Sequence, residues 1–309
     1  MLVVGRDRKV AFYMGDDERN DYVYKFVCAR KLGPFGRKSD RDMLDAGTLY
    51  VARFHANGTG EWLPLVHGQG GLTAENGFRD QAEVLVRARQ AADRLGATMM
   101  DRPEWIAAHP KTREVYMTLT NNNRRGSTPA SANRADGTSV AGSSRPPVDA
   151  ANPRPDNDYG HIIRWREHHD DVGATSFDWD IFVNCGDKAT TKTLSGSYVG
   201  SDLSGLGYRG DINGDDYGAP DGLWFDEDGR LWIQTDQVGD ATGDWVNIGG
   251  NSMLCADPRS GETRRFLTAP KNCEVTGVCS TPDGRTMFVG IQHPGEDWTV
   301  GFTDNSTWP

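Results

Sequence analysis

Short apolar stretches alternate with turns rich in aspartate and glycine along most of the chain, and one such phrase occurs three times. The three copies are residues 103–117, 220–233 and 274–289. Each copy has an apolar stretch, a polar turn and a second apolar stretch that ends in polar residues, which is typical of a β-hairpin. In the first two copies an acid, Glu104 or Asp221, stands nine residues before an arginine. In the third copy Thr276 occupies that position and Glu274 lies two residues earlier.

The spacing of the repeats favours a β-propeller over other all-β folds. Partial copies of the second strand occur at residues 8–14 and 47–52, and most steps between copies are near one or two propeller blades of about 40–50 residues. The first strand of each blade lines the central channel, so acids at the starts of these strands would converge there. Glycine-rich hairpins also recur in β-sandwiches, and the pattern alone leaves that alternative open.

Two segments interrupt the strand pattern. Residues 78–95 carry apolar side chains close to helical spacing, with Gly96 available as a C-cap, which predicts an amphipathic helix on the outside of the sheet. Residues 121–158 are rich in Asn, Ser, Arg, Gly and Pro and contain almost no large apolar residue. We expect this second segment to be a long, flexible loop.

Composition narrows the functional classes. The 309 residues include 37 glycines and nine tryptophans, which favours a turn-rich all-β construction. The net charge of −10 disfavours a nucleic-acid partner, because phosphate contacts need clustered Lys and Arg. No stretch approaches the roughly 20 apolar residues of a membrane span, and we expect no signal peptide in this sequence. The five cysteines are scattered and form no C-x-x-C pair, so neither a disulfide framework nor a zinc site is indicated.

Acidic residues at predicted strand ends are the strongest chemical signal. The candidates are the run Asp16-Asp17-Glu18 and the single acids Glu104, Asp221, Asp236 and Glu274. Each acid taken singly could simply face water. Hard cations such as Ca²⁺ need several carboxylate oxygens at about 2.3–2.6 Å, and separate blades could each deliver one. Repetition of the acid in one register therefore indicates a metal site in the channel as the alternative to solvated acids.

Two further side chains could take part in such a site. Arg102 stands two residues before Glu104 and could donate paired hydrogen bonds to a phosphate group, or could form an ion pair with Asp101 or a neighbouring acid. His293 ends the last repeat strand, as Asp236 ends its own. It could ligate a metal, although we favour a solvated loop histidine.

Other functional motifs are missing or incomplete. Residues 211–222 resemble a calcium loop, but the glycine falls at position 4 and position 12 is not Glu, so they fail as an EF-hand. The sequence contains no G-x-S-x-G nucleophile motif, no P-loop and no dinucleotide fingerprint. Serine hydrolase, P-loop and Rossmann interpretations therefore lose their main support.

Six phrases resemble the PhoX-type alkaline phosphatases. They are YMGDDER (13–19), GTLYVARF (47–54), MDRPEW (100–105), YGHIIRW (159–165), PDGL (220–223) and CEVTG (273–277). The resemblance runs from about residue 5 to the end of the chain. It implies a six-bladed β-propeller that hydrolyses phosphomonoesters at a mixed calcium (Ca²⁺) and iron (Fe³⁺) centre in the channel.

The resemblance also implies roles for individual residues. It makes Glu18, Glu104 and Asp221 metal ligands, and Arg102 the catalytic arginine that contacts phosphate. The remaining candidates have no firm family role; they are Asp236, Glu274 and His293. The implied mechanism is metal-assisted hydrolysis, in which cations neutralise the phosphoryl oxygens and Arg102 steadies developing charge.

The sequence also departs from the family. Family members are longer, and their N-terminal part carries a twin-arginine export signal, the first blades and an iron-ligating cysteine. We therefore expect this chain to form part of a propeller, with a missing N-terminal half as its partner, in a periplasmic or secreted enzyme. The alternatives are a non-catalytic propeller module that binds structural calcium or a partner, and a calcium-dependent propeller lactonase or phosphotriesterase. The phrases at 101–104 and 273–277 favour the phosphatase over the lactonase.

Overall fold

Antiparallel strands provide most of the regular structure in the computed structural model, which describes residues 1–33, 40–139, 141–194, 198, 207–238 and 241–295. The strands are β1 (Leu2–Val4), β2 (Lys9–Gly15), β3 (Val23–Lys31), β4 (Gly47–Phe54), β5 (Thr59–Pro64), β6 (Pro103–Ala108), β7 (Val115–Leu119), β8 (His161–Glu167), β9 (Ser176–Asn184), β10 (Asn213–Gly214), β11 (Pro220–Phe225), β12 (Leu231–Thr235), β13 (Ser252–Ala256), β14 (Glu262–Thr268), β15 (Glu274–Ser280) and β16 (Met287–Gln292).

Consecutive strands form four-stranded antiparallel units. β2 to β5, β6 to β9 and β11 to β14 each pair in chain order, and β15 and β16 form a separate pair. β1 adds to β2, and the short β10 runs parallel to β14. The fourth strands of the first two units, β5 and β9, also pair with each other, which joins these units into one nine-stranded sheet. Repeated four-stranded units of this kind make the fold all-β and propeller-like.

The first strands of successive units are neighbours. β6 contacts β2 on one side and β11 on the other, and β11 in turn contacts β15. The approach of β2 to β6 is close: a Cβ atom on Gly15 would lie 2.7 Å from the carbonyl oxygen of Pro103 and 2.8 Å from that of Glu104. Only glycine fits there. The starts of the repeat strands are therefore brought together, as expected for the inner strands of blades.

Large aromatic side chains fill the space between the first two units. Tyr13, Trp62, Trp165 and Phe177 come from β2, β5, β8 and β9, and all four are buried. Their rings meet at tilted or edge-on angles with centroids 5.0–6.4 Å apart. Full burial of a side chain such as Phe177 contributes about 1.5–3 kcal/mol relative to exposure. This contact holds the two units of the nine-stranded sheet together.

A buried ion pair lies inside the same aromatic cluster. Lys25 of β3 places its Nζ 3.0 Å from Oε1 of Glu167, which ends β8. The same carboxylate accepts hydrogen bonds from the Tyr13 hydroxyl at 2.8 Å and from Trp62 Nε1 at 3.0 Å. Burial raises the pKa of Glu167 to about 7 and lowers the pKa of Lys25 to about 8, although each charge partly offsets the shift of the other.

The insertion between β5 and β6 contains two short helices where the sequence predicted one. They are α1 (Gln81–Val86) and α2 (Ala88–Leu95), and they meet at Arg87, whose φ and ψ are −108° and 39°. Asp80 caps α1 by accepting a 2.9 Å hydrogen bond from the Glu83 amide, and Gly96 ends α2 in the left-handed conformation. Val84 packs with apolar residues of the first unit. In the described part of the chain, neither helix has the length and apolarity that a bilayer crossing requires.

The segment predicted as a flexible loop, residues 121–158, contains no strand or α-helix in its described part, which omits residue 140. Its ends are tied by a bridge between Asn122 and Asn157. Arg154 is almost fully buried, and its guanidinium donates to the carbonyl oxygens of Gly160 and Cys185. The segment is therefore irregular but hydrogen-bonded into the fold, and its flexibility stays a prediction.

Candidate metal and phosphate site

The same irregularity interrupts three of the first strands. The pairing register shifts between Pro103 and Ile106 in β6, between Pro220 and Leu223 in β11, and between Val275 and Val278 in β15. Such β-bulges bend a strand and redirect its side chains, and they often lie beside active sites. The first bulged residues are Glu104, Asp221 and Thr276. The acid position of the sequence repeat is therefore the bulge position of the fold.

Arg102 lies between carboxylates that come from three parts of the chain. Its Nε is 2.7 Å from Oδ1 of Asp17, which follows β2. Its other guanidinium nitrogens lie 3.9 Å from Oε2 of Glu104 and 3.7 Å from Oδ2 of Asp236, which follows β12. The backbone of Arg102 has a φ of 58°, a conformation that costs a non-glycine residue energy and is often retained at functional sites.

Asp221 connects the residues around Arg102 to a further acid, Glu274. The Asp221 carboxyl group is hydrogen-bonded to that of Glu274, and it interacts electrostatically with Glu104 and Asp236. Glu274 Oε2 accepts a 2.9 Å hydrogen bond from Gln292 Nε2 and lies 3.5 Å from His293 Nε2. The first strands of three units thus bring carboxyl groups to one place.

The electrostatics of this cluster are those of crowded, partly buried acids. Burial and a hydrogen bond with Asp17 raise the pKa of Glu104 to about 8. Burial and a hydrogen bond with Glu274 raise the pKa of Asp221 to about 9, and burial raises that of Asp236 to about 6. Burial also acts to raise the pKa of Asp17, but hydrogen bonds with Glu104 and Arg102 bring it below its usual value. The cluster resists carrying its full negative charge.

The donor chemistry fits a hard cation. Burial and the neighbouring acids disfavour the ionised form of these carboxyl groups, and a bound divalent ion would favour it. Oxygen is the ligand that Ca²⁺ takes. Among the described residues, no three His, Cys, Asp or Glu side chains are arranged closely enough to hold a metal ion. Cys273 precedes Glu274 in sequence, but its thiol donates to the carbonyl oxygen of Pro270 at 3.0 Å.

The structure brings together six of the seven residues selected from the sequence. They are Arg102, Glu104, Asp221, Asp236, Glu274 and His293. Glu18 instead accepts a 2.7 Å hydrogen bond from the amide of Arg19 and lies against Gly142. None of the described contacts connects Glu18 to the cluster, and its role as a metal ligand stays a prediction.

Sequence reasoning named Asp17 within the acidic run after β2 but selected Glu18 from that run. The acidic run therefore indicated that an acid after β2 belongs to the site. Which acid of the run contacts Arg102 depends on the conformation of Arg102. The alternative considered for Arg102 was an ion pair with Asp101 or a neighbouring acid, and Arg102 does pair with Asp17 rather than with Asp101. The Asp101 carboxylate is fully buried elsewhere and accepts hydrogen bonds from Arg125 Nε at 2.8 Å and from the side-chain amides of Asn122 and Asn157.

Comparisons with known proteins show the family of this chain. A solved structure of Pseudomonas fluorescens PhoX in complex with vanadate, a transition state analogue, is 44% identical to this chain with a TM-score of 0.84. The match covers 100% of this chain and 49% of that one, so this chain spans about half the length of that relative. No curated protein sequence matches the chain. The family model described as alkaline phosphatase PhoX matches residues 1–295. The chain belongs to the PhoX alkaline phosphatase family.

Proposed function

We propose that this protein takes part in the hydrolysis of phosphomonoesters at the cluster around Arg102. The observation that carries the proposal is the position of Arg102 among three carboxylates from separate parts of the chain. They are Asp17 after β2, Glu104 in the β6 bulge and Asp236 after β12. Family membership points to the same chemistry, since the related structure carries vanadate, a transition state analogue. A guanidinium can donate two hydrogen bonds to phosphate oxygens, and the acids beside it supply cation ligands.

Arg102 would bind and orient the phosphoryl group. Its side chain is about one quarter exposed, so a substrate can reach it. Asp17 holds the guanidinium through Nε, with an Oδ1 distance of 2.7 Å, and its Oδ2 accepts a longer hydrogen bond of 3.4 Å from Nη2. The other approaches of the terminal guanidinium nitrogens, to Glu104 and Asp236, are 3.9 and 3.7 Å long. These nitrogens would turn to the phosphoryl oxygens and steady the charge that develops as the ester bond breaks.

We infer that Ca²⁺ and Fe³⁺ complete the site. Bound cations would neutralise phosphoryl charge and activate the nucleophile. Glu104 and Asp221 would hold them, because both carboxyl groups lie in the bulges and both are crowded by other acids. The resemblance adds Glu18 as a ligand. Further donors are available in Asp236, Glu274 and His293.

Substitution of the bulge acids tests the metal assignment. We expect Glu104→Gln and Asp221→Asn to lower bound metal and turnover of p-nitrophenyl phosphate together, because each variant removes an anionic ligand. Metal content by plasma mass spectrometry and steady-state kinetics measure the two effects. Glu227→Gln is the control. It removes an exposed acid in the turn between β11 and β12, and it should change neither the metal content nor the turnover. Full metal occupancy in both bulge variants would contradict the assignment.

The same protein can be tested against the competing functions. Turnover of a phosphomonoester with added calcium and iron supports the phosphatase, whereas turnover of a lactone alone would support the propeller lactonase. Calcium binding without turnover of either substrate would favour a non-catalytic module.

We propose that the described units belong to a six-bladed propeller and that a further part of the protein, or a partner, supplies the remaining blades. Support comes from the three four-stranded units with the extra β15–β16 pair, and from the length of the related PhoX chain, of which this chain covers 49%. Family resemblance also supports a periplasmic or secreted location.

A further inference from the structure

One threonine links the two bulges that carry Glu104 and Asp221. Thr118 of β7 lies opposite the β6 bulge, since its neighbours Leu119 and Met117 pair with the residues on either side of that bulge. Its Oγ1 accepts a 2.9 Å hydrogen bond from the amide of Trp105, the residue after Glu104. The same hydroxyl donates to the carbonyl oxygen of Asp221 at 2.7 Å.

These two hydrogen bonds replace pairing that the bulges remove. A bulge leaves backbone groups without partners in the strand ladder, and a buried unpaired amide or carbonyl is costly. Thr118 is fully buried, so water does not compete for its hydroxyl. With one hydrogen and two lone pairs, a hydroxyl can accept from one backbone group and donate to another at the same time. The side chain therefore fixes β6 against β11 at the point where each strand presents its acid.

The equivalent positions in the third unit and in the β15–β16 pair do not make such a link. Gln234 of β12 lies opposite the β11 bulge, and neither atom of its buried amide has a hydrogen-bond partner among the described residues. Gly290 of β16 lies opposite the β15 bulge and has no side chain to offer. Within the described part of the chain, the direct tie is thus specific to the pair of strands that carries Glu104 and Asp221.

We propose that Thr118 is a positioning residue that sets the separation of the Glu104 and Asp221 carboxylates, and through it the affinity of the site for calcium. The inference rests on the proposed function, in which these two acids hold a cation. The oxygens that coordinate calcium lie within a range of about 0.3 Å, from about 2.3 to 2.6 Å from the ion. A shift of β6 along β11 would therefore weaken calcium binding. Partners behind the ligands of metal sites typically contribute ten- to a hundredfold in affinity.

Two substitutions separate the hydroxyl from the shape of the side chain. Thr118→Val keeps the shape and removes every hydrogen bond of the hydroxyl, including a longer contact of 3.3 Å with the Trp105 carbonyl oxygen. Thr118→Ser keeps the hydroxyl and removes a methyl group. We expect Thr118→Val to bind calcium about ten- to a hundredfold more weakly by titration calorimetry, with kcat for p-nitrophenyl phosphate falling in parallel. Thr118→Ser should stay within about threefold of the wild type, because the backbone tie is kept.

Thr120→Val is the matched control. Thr120 is equally buried and lies two residues away, but its hydroxyl has no hydrogen-bond partner among the described residues. We expect its calcium affinity to equal that of the wild type. A merely structural role for Thr118 would lower the melting temperature of Thr118→Val while leaving the calcium affinity of the folded protein unchanged, and that result would overturn the proposal.

Two further outcomes have separate interpretations: a Thr118→Val variant that does not fold, and a wild-type protein that binds no calcium. If Thr118→Val does not fold, Thr118→Cys replaces it, since a thiol is a weaker hydrogen-bonding group of similar size; equal calcium affinity in the Cys and Ser variants would then overturn the proposal. A wild-type protein that binds no calcium would overturn the proposed function itself, and this inference with it.

Discussion

At the scale of single residues, the crowded acids give the protein an unusual dependence on pH. Carboxyl groups with raised pKa values bind more protons in the folded protein than in the unfolded chain. For Glu104 this holds between pH 4.5 and about 8, and for Asp221 between pH 3.8 and about 9. Stability contributed by these groups is therefore lost as the pH rises through that range, unless a cation takes the place of the protons.

Thermal unfolding can test this pH dependence. Without added metal and with a chelator present, we expect the melting temperature to fall by several degrees between pH 6 and pH 9. Calcium should reverse the trend, because it binds the ionised acids more tightly as the proton concentration falls. The double variant Glu104→Gln, Asp221→Asn should show a flatter profile in chelator. A wild-type slope as flat as that of the double variant would contradict the explanation.

The sequence predicted Glu104 and Asp221 because a hairpin repeat keeps its bulge at a constant register. It could not predict which acid after β2 meets Arg102, since the choice depends on the left-handed backbone at that arginine. It also could not predict that Asp101 turns inward to a buried network with Arg125. The repeat is visible in the spacing of residues close together in the sequence. The Arg125–Asp101 and Arg102–Asp17 contacts, in contrast, join residues 24 and 85 positions apart.

At the scale of elements, the contacts between strands of different units were beyond the sequence. The apolar pattern predicted hairpins but not the pairing of β5 with β9, and it predicted one helix where Arg87 separates two. The Arg87 guanidinium donates to the carbonyl oxygen of Gly77 at 2.7 Å and stacks on the ring of Phe78. These contacts to residues before the helices leave the helical spacing of apolar residues unchanged, so periodicity does not reveal the break.

The buried pair between β3 and β8 gives a prediction at this scale. Glu167→Gln would leave Lys25 charged and buried without its anion, and we expect a loss of about 3–5 kcal/mol in the free energy of unfolding. Lys25→Met added to Glu167→Gln should recover part of that loss, because no buried charge then remains.

Urea denaturation of the two single variants and the double variant measures this coupling. Asp228→Asn, which removes an exposed carboxylate 2.8 Å from Arg230, is the control and should change stability by less than about 1 kcal/mol. Purely additive losses in the double variant would show that the Lys25–Glu167 contact carries no coupling energy.

At the scale of the whole molecule, the repeat was sufficient to predict an all-β, propeller-like fold. Propeller units share an internal pattern, so a single chain shows the architecture several times. The joining of two units into one nine-stranded sheet was not predictable, because β5 and β9 have no sequence feature that distinguishes them as partners. The five-stranded sheet and the β15–β16 pair remain separate from it in the described chain.

Amide hydrogen exchange should show different rates for the nine-stranded sheet and the β15–β16 pair. Amides of the nine-stranded sheet are linked by continuous pairing, and we expect them to exchange together and slowest. Amides of β15 and β16 should exchange faster, since this two-stranded pair has side chains such as Phe288 largely exposed. Mass spectrometry of peptides from both regions measures the difference. Equal protection in β12, β16 and β8 would indicate a single cooperative unit.

The edge-to-edge pairing of β5 with β9 has a consequence for the site. Arg102 and Glu104 belong to the part of the chain that this pairing holds together, whereas Asp221 and Glu274 belong to the two sheets outside it. The site thus spans a boundary between separate sheets. A cation bound there would hold the separate sheets together. Removal of the cation would expose one sheet to proteolysis while the other stayed folded.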